Sequence, residues 1–273
     1  MPPARRRGRE AALGDLSARI AADLRNAILQ GDYAEGDRLP STSEIMKRED
    51  VSSLTVRGAY QQLIAEGLVV AVPKKGFYVR EALNMTWHMT KWQDPKRLKS
   101  VPLDGWPADV EAAGFSHHQT ISVGIVAGDE PIAGTPIADR LGIPIEERVV
   151  VRRRLRLIGP SPDTAATTPE SIADSYYSYA LVKETAIMQP ESVNTAAILA
   201  DLGWPMGAHE DELTPRIATR TESETLQLPE VTAVLEVVRT TYTAPDKPVL
   251  VLHQIRPGNG SKYIYRVNED PVR

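Results

Sequence analysis

Residues 39–79, LPSTSEIMKREDVSSLTVRGAYQQLIAEGLVVAVPKKGFYV, contain two helix start signals, one amphipathic helix and a short basic turn. Ser41 and Glu44, three residues apart, form a capping box that opens a short helix. Ser52 is a good N-cap for a second helix, which Gly67 ends. The stretch therefore predicts two consecutive helices joined by a tight turn.

The flanking residues add a helix before this stretch and a hairpin at its end. Residues 13–31 carry apolar side chains every three or four positions, which is typical of an amphipathic helix. After the quoted helices, LVVAV (68–72) and FYV (77–79) are β-prone and flank PKKG, which predicts a hairpin with a basic turn. Three helices and a basic hairpin predict a winged helix-turn-helix over residues 13–80, with a basic tail at residues 1–12.

The third helix of this module is predicted to present its first turns to DNA. Its apolar residues Val56, Tyr60 and Leu63 are expected in the core, so the opposite face is exposed. In helix-turn-helix proteins the start of this helix enters the major groove, where its dipole also favours phosphate. The side chains expected there are Ser53, Thr55 and Arg57.

The same stretch resembles the DNA-binding domain of GntR-type bacterial transcription regulators. The resemblance is carried by GDRLPSTSEI (36–45), VSSLTVRGAYQQLIAEGLV (51–69) and KKGFYV (74–79). It implies operator contacts from the turn before the second helix, from the starts of the second and third helices, and from the wing. Together with the capping serines and the wing lysines, the predicted DNA-binding residues are Arg38, Ser41, Ser43, Ser52, Ser53, Leu54, Thr55, Arg57, Lys74, Lys75 and Gly76.

Two positions depart from the pattern of that family. Ser43 and Ser53 stand where arginine is common. A bidentate arginine–guanine contact is worth about 1–3 kcal/mol of discrimination, so we expect an operator that differs from the family's usual one.

Composition indicates a soluble, cytoplasmic protein of two domains. The chain has 273 residues, of which 42% are hydrophobic and 25% charged, and its apolar runs are too short to cross a bilayer. There is no cysteine, which excludes disulfides and thiolate metal sites. The N-terminal residues are basic without a following apolar region, unlike a secretory signal peptide.

Charge is distributed unevenly along the chain. Residues 1–80 carry thirteen Lys and Arg against ten Asp and Glu, and the remainder carries nineteen against twenty-six. A basic N-terminal part and an acidic C-terminal part fit a nucleic-acid-binding module fused to another domain. The run ARRRGRE (4–10) is either an arm along phosphates or a disordered tail. Residues 81–100 mix aromatic and charged side chains without a period and are interpreted as a linker.

Residues 101–273 predict an α+β domain. Strand-like runs at 120–126, 148–158, 233–243, 248–255 and 262–267 alternate with short helical segments, and short turns join several of them. This order predicts a mostly antiparallel sheet with helices on one side.

This region resembles the UTRA effector-binding domain of the HutC branch of GntR regulators, a fold similar to a chorismate-lyase scaffold. The resemblance covers about residues 103–268 and is carried by GTPIADRLGIP (134–144), RRRLRL (152–157) and VLEVVRTTYTAPDKPV (234–249). The insertion PSPDTAATTPE (160–170) is longer than the family's turn and is expected to be an exposed loop.

Three arginines alternate along one predicted strand and therefore share one face of the sheet. They are either neutralised by acidic side chains or line a site for an anionic ligand. The resemblance implies the second role for the arginines. Ser175 and Tyr177 lie on one side of the SYY segment if it is extended, where they are either hydroxyl partners of the ligand or packed in the core or a loop. The predicted effector-binding residues are Arg152, Arg154, Arg156, Ser175 and Tyr177. Leu250 stands where phosphosugar-binding UTRA domains are expected to have a glutamate, which disfavours a phosphosugar.

An enzymatic role for the back domain has little support in the sequence. His117, His118 and HEDE (209–212) are the candidates for a metal or acid–base site, but they are interpreted as solvated loops. The chain has no phosphate-binding glycine-rich loop, nucleophile elbow or zincin motif. We expect neither an enzyme nor a cofactor.

The sequence thus predicts a ligand-responsive transcription regulator, a repressor that binds a roughly palindromic double-stranded DNA operator as a homodimer. One alternative is a ligand-blind regulator, of plasmid transfer or of its own gene, whose back domain only dimerises. Another is a metabolic enzyme with a vestigial DNA module.

Overall fold

The computed structural model describes residues 4–72, 74–80, 85–90, 105–159, 167–191, 193–229, 231–243, 247–258 and 261–266. Its contacts divide the chain into two units. The first comprises Met1–Ala82, Ala218–Ser223 and Leu228–Thr232, and the second comprises Leu83–Ile217, Glu224–Gln227 and Ala233–Arg273.

The first unit contains the predicted three helices and hairpin. They are α1 (Ala4–Gln30), α2 (Thr42–Glu49), α3 (Ser53–Ala65), β1 (Val69–Val72) and β2 (Gly76–Val79), and β1 pairs antiparallel with β2. The winged helix-turn-helix arrangement is therefore present. The first helix begins at Ala4 rather than near residue 13, so the basic run predicted as a tail lies within α1.

Tyr60 ties α3 to the other elements of this unit. It is fully buried among apolar residues of α1, α2 and the hairpin. Its ring stacks on Phe77 of the wing at 3.7 Å between centroids, and its hydroxyl donates to the main-chain oxygen of Pro40. Burial of such a side chain contributes about 1.5–3 kcal/mol, and the hydrogen bond satisfies its polar end.

A six-stranded antiparallel sheet forms the second unit, as the alternating runs predicted. Its strands are β4 (Ser116–Ala127), β7 (Arg148–Gly159), β8 (Thr168–Ser178), β9 (Met206–Ile217), β10 (Ala233–Thr243) and β11 (Lys247–Pro257). Their order across the sheet is β4-β7-β8-β11-β10-β9, with β4 and β9 at the edges. Of the predicted loop 160–170, residues 160–166 lie outside the described residues, and Thr168 begins β8.

Helices cover both faces of this sheet, so the prediction of helices on one side was wrong. Val151 packs in a cluster with Ile137 and Leu141 of α5 (Ile137–Leu141). The neighbouring Val150 faces the opposite side, where Leu199 of α7 (Thr195–Asp201) packs. Consecutive strand residues point to opposite faces, and here both faces at this end are apolar.

Part of the segment predicted as a linker is a strand of the second unit. β3 (Met85–His88) pairs in parallel with β12 (Ser261–Ile264). Met85 and Trp87 are buried in one cluster with Trp106 of α4 (Gly105–Ala112). Residues 81–84 and 91–104 lie outside the described residues.

Four short elements complete the described part of the chain. They are β5 (Pro131–Ile132), β6 (Thr135–Pro136), α6 (Tyr179–Val182) and α8 (Arg220–Leu226), together with a 3-10 turn at Ala186–Met188.

Candidate nucleic-acid interface and arginine-rich sheet face

The start of α3 presents an exposed, capped surface. Ser52 adopts an extended conformation, and its Oγ accepts a hydrogen bond from the Thr55 amide at 3.2 Å. Ser53, Leu54 and Arg57 are exposed, and the Leu54 side chain reaches 73% exposure. A helix start of this kind offers free amides and a positive dipole end to an anion.

Thr55 does not belong to this exposed surface, which corrects the sequence prediction for its side chain. It is only 4% exposed, and its hydroxyl is hydrogen-bonded to Ser52 Oγ at 2.9 Å. Thr55 lies next to the buried Val56 and one helical turn before the buried Ala59. Its side chain therefore fixes the cap from inside the unit.

The start of α2 contains the predicted capping box. Ser41 Oγ accepts from the Glu44 amide at 3.3 Å, and the Ser41 amide donates to Glu44 Oε2 at 2.6 Å. Hydrogen bonding from Ser41 lowers the pKa of the Glu44 carboxyl. Ser43 is exposed, and its Oγ lies 3.0 Å from Ser41 Oγ. The box fixes the helix start and leaves the Ser43 hydroxyl at the surface.

The wing and the turn before α2 are adjacent in space, although they are far apart in sequence. Arg38 forms an antiparallel bridge with Tyr78 of β2. At Gly76, φ is +115°, and a Cβ there would lie 3.6 Å from Arg38 Nε. Lys74 and Lys75 are exposed at the hairpin tip. Arg38 therefore lies beside the hairpin that carries Lys74 and Lys75 at its tip.

Arg48 is a cation near this group that the sequence reasoning missed. It lines a surface pocket of about 460 Å³ together with Arg38, Tyr33 and Glu44. Its position in the last turn of α2 carried no signal of that proximity, because residues 38–41 and Tyr33 line the same pocket only in the folded unit.

The second unit places the three predicted arginines on one face of β7. Arg152, Arg154 and Arg156 are buried, whereas Arg153 between them is exposed. The alternation predicted from the sequence is therefore present, but the three guanidinium groups have different surroundings.

Arg152 stabilises the fold of the second unit. It is 1% exposed, and its guanidinium donates to the main-chain oxygens of Ile187, Gln189 and Glu191. Those carbonyls lie in and after the 3-10 turn, so Arg152 holds that turn against the sheet. The prediction that Arg152 faces an effector is corrected, because its guanidinium donors are directed at the main chain.

Arg154 and Ser175, both predicted to bind effector, lie together on neighbouring strands. Arg154 Nη1 donates to Ser175 Oγ at 2.8 Å, and both side chains are buried. Within the described part of the chain, no carboxylate forms an ion pair with Arg154. Burial of a guanidinium beside a neutral hydroxyl favours binding of an anion at this point.

Tyr177 lies in the apolar cluster that contains Val150 and Leu199. It is fully buried, and its hydroxyl has no hydrogen-bond partner among the described residues. The structure places it on the same face as Ser175, two residues further along β8.

Arg156 forms the end of this face nearest to α4. Its guanidinium lies 4.9 Å from the centre of the Trp106 ring. In the amide orientation that satisfies its neighbours, Gln254 accepts from Arg156 Nη1 at 3.0 Å and from Arg256 Nη2 at 3.3 Å.

Two further arginines on this face were missed by the sequence reasoning. Arg256 donates to Glu170 at 2.8 Å and lies 4.0 Å from the centre of the Trp87 ring. Arg239 binds Asp211 through two hydrogen bonds of 2.6 Å and donates to the Met89 main-chain oxygen at 3.1 Å. Each is the single arginine of its strand, so no alternation of arginines marked it in the sequence.

The carboxyl of Asp211 is held ionised by its partner. Burial by itself would raise its pKa, but the hydrogen bonds from Arg239 bring the pKa below its ordinary value. Asp211 also accepts from Tyr265 Oη at 3.0 Å. This cluster ties β9 and β10 to the residues that follow β3 and β12.

The HEDE segment is part of β9, so its interpretation as a loop was wrong. His209 Nδ1 lies 2.9 Å from Thr241 Oγ1, and burial lowers the pKa of His209 to about 4. Glu212 pairs with Arg140. His117 lies 2.9 Å from Glu111 on α4. In the ranges that the structure describes, no three of these residue types converge on a metal position.

Comparison with known proteins identifies both units. Residues 16–79 match the family described as bacterial regulatory proteins, gntR family, and residues 118–259 match the UTRA domain. The chain is 28% identical over 240 residues to SCO4628, an HTH-type transcriptional regulator of Streptomyces coelicolor, covering 84% of this chain and 82% of that protein.

Two further similarities are shorter or structural. The chain is 35% identical over 66 residues to the Escherichia coli mannosyl-D-glycerate transport/metabolism system repressor MngR, covering 24% of this chain and 28% of that protein. The crystal structure of PhnF from Mycobacterium smegmatis superposes with a TM-score of 0.54 at 15% identity, covering 92% of this chain and 99% of PhnF. At this sequence identity the likeness shows a shared fold alone. Every helix in the described ranges is too short or too polar to cross a bilayer.

Proposed function

Because the chain belongs to the GntR family of bacterial regulatory proteins and carries a UTRA domain, we propose that it is a ligand-responsive repressor that binds a roughly palindromic operator as a homodimer. The observation that carries this proposal is the capped start of α3, with Ser53, Leu54 and Arg57 exposed. Repressor action is favoured by the similarity of a 66-residue stretch of this chain to MngR, which is named a repressor.

The proposed DNA interface combines two kinds of contact. At the start of α3, Leu54 suits a thymine methyl group, and Arg57 suits a base edge or a phosphate. Arg38, Lys74 and Lys75 supply cations for the DNA backbone, and Gly76 lets the main chain of the wing approach closely. Ser41 and Ser52 contribute by fixing the two helix starts, and Ser43 and Ser53 by offering hydroxyls.

The proposed effector is a small anion. Arg154 supports this, because it is buried beside Ser175 and has no ion-pair partner in the described part of the chain. Arg156 lies on the same face, two residues along β7. Leu250 stands where a sugar-binding glutamate is expected, so we propose an anion other than a phosphosugar.

Residues 85–90 form the segment that we propose changes arrangement when the ligand binds. They contact the arginine-rich face through the Met89 main-chain oxygen, which accepts from Arg239, and through Trp87, which stacks on Arg256. A ligand that binds one of two arrangements of this segment more tightly shifts the equilibrium between them. Coupling energies of about 1–3 kcal/mol between two sites are usual in such proteins.

Selection of genomic fragments bound by the full chain tests the DNA component. We expect enrichment of fragments that share a two-fold symmetric motif, with half-sites about one helical turn apart. Enrichment that follows only the total charge of the fragments would contradict sequence-specific binding.

A thermal-shift screen of anionic metabolites tests the effector component, with neutral analogues of the same size as controls. A ligand present at 100 times its Kd stabilises the protein by about 2.7 kcal/mol. If no anion raises the Tm, the ligand-responsive part of the proposal fails and a ligand-blind regulator remains.

A further inference from the structure

The outer edge of β4 has the features of a strand-pairing surface. β4 is an edge strand of the six-stranded sheet, and its pairing with β7 runs from Ser116↔Gly159 to Ala127↔Arg148. Within the described ranges no strand pairs with its other side. An edge strand presents a row of main-chain donors and acceptors that can template another strand. Its twelve residues span about 40 Å at roughly 3.4 Å per residue.

The two edges of the sheet differ in how they discourage pairing. β9, MGAHEDELTPRI (206–217), carries three consecutive carboxylates and a proline, and β4, SHHQTISVGIVA (116–127), contains no Lys, Arg, Asp, Glu or Pro. Charges and proline are the usual protection of an edge strand against another chain. The β9 edge is therefore protected and the β4 edge is not.

The side chains of β4 suit a second, like strand. Ile121 and Val123 are half-buried on the face that contains Val150, and Ile125 on the same face is 47% exposed. On the other face Thr120 and Ser122 are exposed. Another strand alongside β4 would continue the row formed by Ile121, Val123 and Ile125 and bury it further. The hydroxyls on the other face would stay at the surface.

We propose that β4 pairs antiparallel with β4 of a second copy of this chain, across a two-fold axis near Ser122. The two sheets then form one continuous sheet. A two-fold axis perpendicular to the sheet places Ser122 opposite Ser122 and Ile121 opposite Val123. The same operation on β9 would place Glu210 opposite Glu212, where like charges are destabilising. This inference rests on the proposed homodimer and assigns the surface that forms it.

Opposed charge variants test the pairing in the full chain. In Thr120→Glu/Ser122→Glu, like charges meet across the axis, and the same holds for Thr120→Lys/Ser122→Lys. Light scattering after size-exclusion chromatography should give a molar mass of about twice 30.0 kDa for the wild type. Each variant alone should give the 30.0 kDa of a single chain. Mixing the two variants should restore the dimer, because opposite charges then face each other.

Ala208→Lys/Thr214→Lys is the matched control, since both residues are exposed on β9, the other edge strand of the sheet. We expect it to remain dimeric. Two outcomes would show that the dimer does not form through β4, while leaving the homodimer itself in place. In the first, the wild type is dimeric and the β4 variants stay dimeric. In the second, the β9 variant dissociates instead. A monomeric wild type would overturn the homodimer itself and this surface with it.

A cysteine variant provides a second test that does not depend on destabilising charges. The chain has no cysteine, so Ser122→Cys introduces a single thiol. Directly opposed antiparallel residues have Cα atoms about 4.5–5.5 Å apart, within the range that a disulfide spans. Mild oxidation should give a covalent dimer on a non-reducing gel, whereas Thr214→Cys should not. A crosslink from Thr214→Cys alone would overturn the proposal.

Discussion

Arg57 is an exposed cation in the first turns of α3, and within the described ranges its guanidinium has no hydrogen-bond or ion-pair partner. A side chain in that state loses no internal contact when it binds a phosphate or a base. Its neighbours on the opposite side of the helix are buried, so the orientation of Arg57 is fixed by the core of the unit.

Arg57→Ala is expected to weaken operator binding and to reduce the salt slope of log K by about 1, because one phosphate or base contact is lost. Affinity measured across a salt series checks this. Arg25→Ala is the control, since Arg25 pairs with Glu66 at the far end of α3. Unchanged affinity of Arg57→Ala across the salt series would remove this residue from the interface.

Arg154→Ala and Ser175→Ala are expected to reduce the response to the effector at least tenfold and to leave operator affinity unchanged. Both side chains lie at the proposed anion position, and Ser175→Ala removes a hydroxyl with little change in volume. Calorimetric titration of the stabilising anion measures the effect, with Arg153→Ala on the exposed side of the same strand as control. A folded Ser175→Ala variant with full response would contradict the site, and loss of folding by Arg154→Ala would indicate a structural arginine.

At the scale of the elements, α3 depends on its cap. Ser52 Oγ accepts from the Thr55 amide and is hydrogen-bonded to the Thr55 hydroxyl, and Thr55 is buried. The cap therefore joins the exposed start of the helix to the interior of the unit. A change at Ser52 affects both stability and the surface proposed to contact DNA.

Ser52→Ala is expected to lower the free energy of unfolding of the first unit by about 1 kcal/mol, the usual cost of removing an N-cap. Calorimetry on the full chain checks this value. The neighbouring Ser53 is exposed and lies inside the helix, so Ser53→Ala should stay within about 0.5 kcal/mol of the wild type. Equal losses for both variants would show that Ser52 does not act as a cap.

At the scale of the whole molecule, the proposed function requires that DNA binding and effector binding are linked through one equilibrium. If the effector changes operator affinity by a given factor, the operator must change effector affinity by the same factor. Coupling factors of about 5–150-fold are usual. Fluorescence anisotropy with and without the saturating anion, and titration of the anion with and without operator, should give equal factors. Non-operator DNA of equal length is the control. No change in either direction would indicate a ligand-blind regulator.

Local signals predicted much of the fold. The capping box at Ser41, the N-cap at Ser52 and the apolar periods placed α2, α3 and the hairpin within one or two residues. The strand predicted at 233–243 coincides with β10. β9 and β3 were missed because their sequences carry charges or aromatic residues without a sustained period, and their pairing partners are distant in the chain.

The sequence by itself determined the winged helix-turn-helix, the α+β second domain and the family, because caps, turns and periodicity act over a few neighbouring residues. Only the tertiary structure decided which side chains remain available. Arg152 reaches the carbonyl of Glu191 and Arg154 reaches Ser175, although the two arginines follow the same pattern in β7. Arg38 meets Gly76 only because the wing folds back on the turn. Such contacts depend on residues tens of positions apart, which a local pattern does not encode.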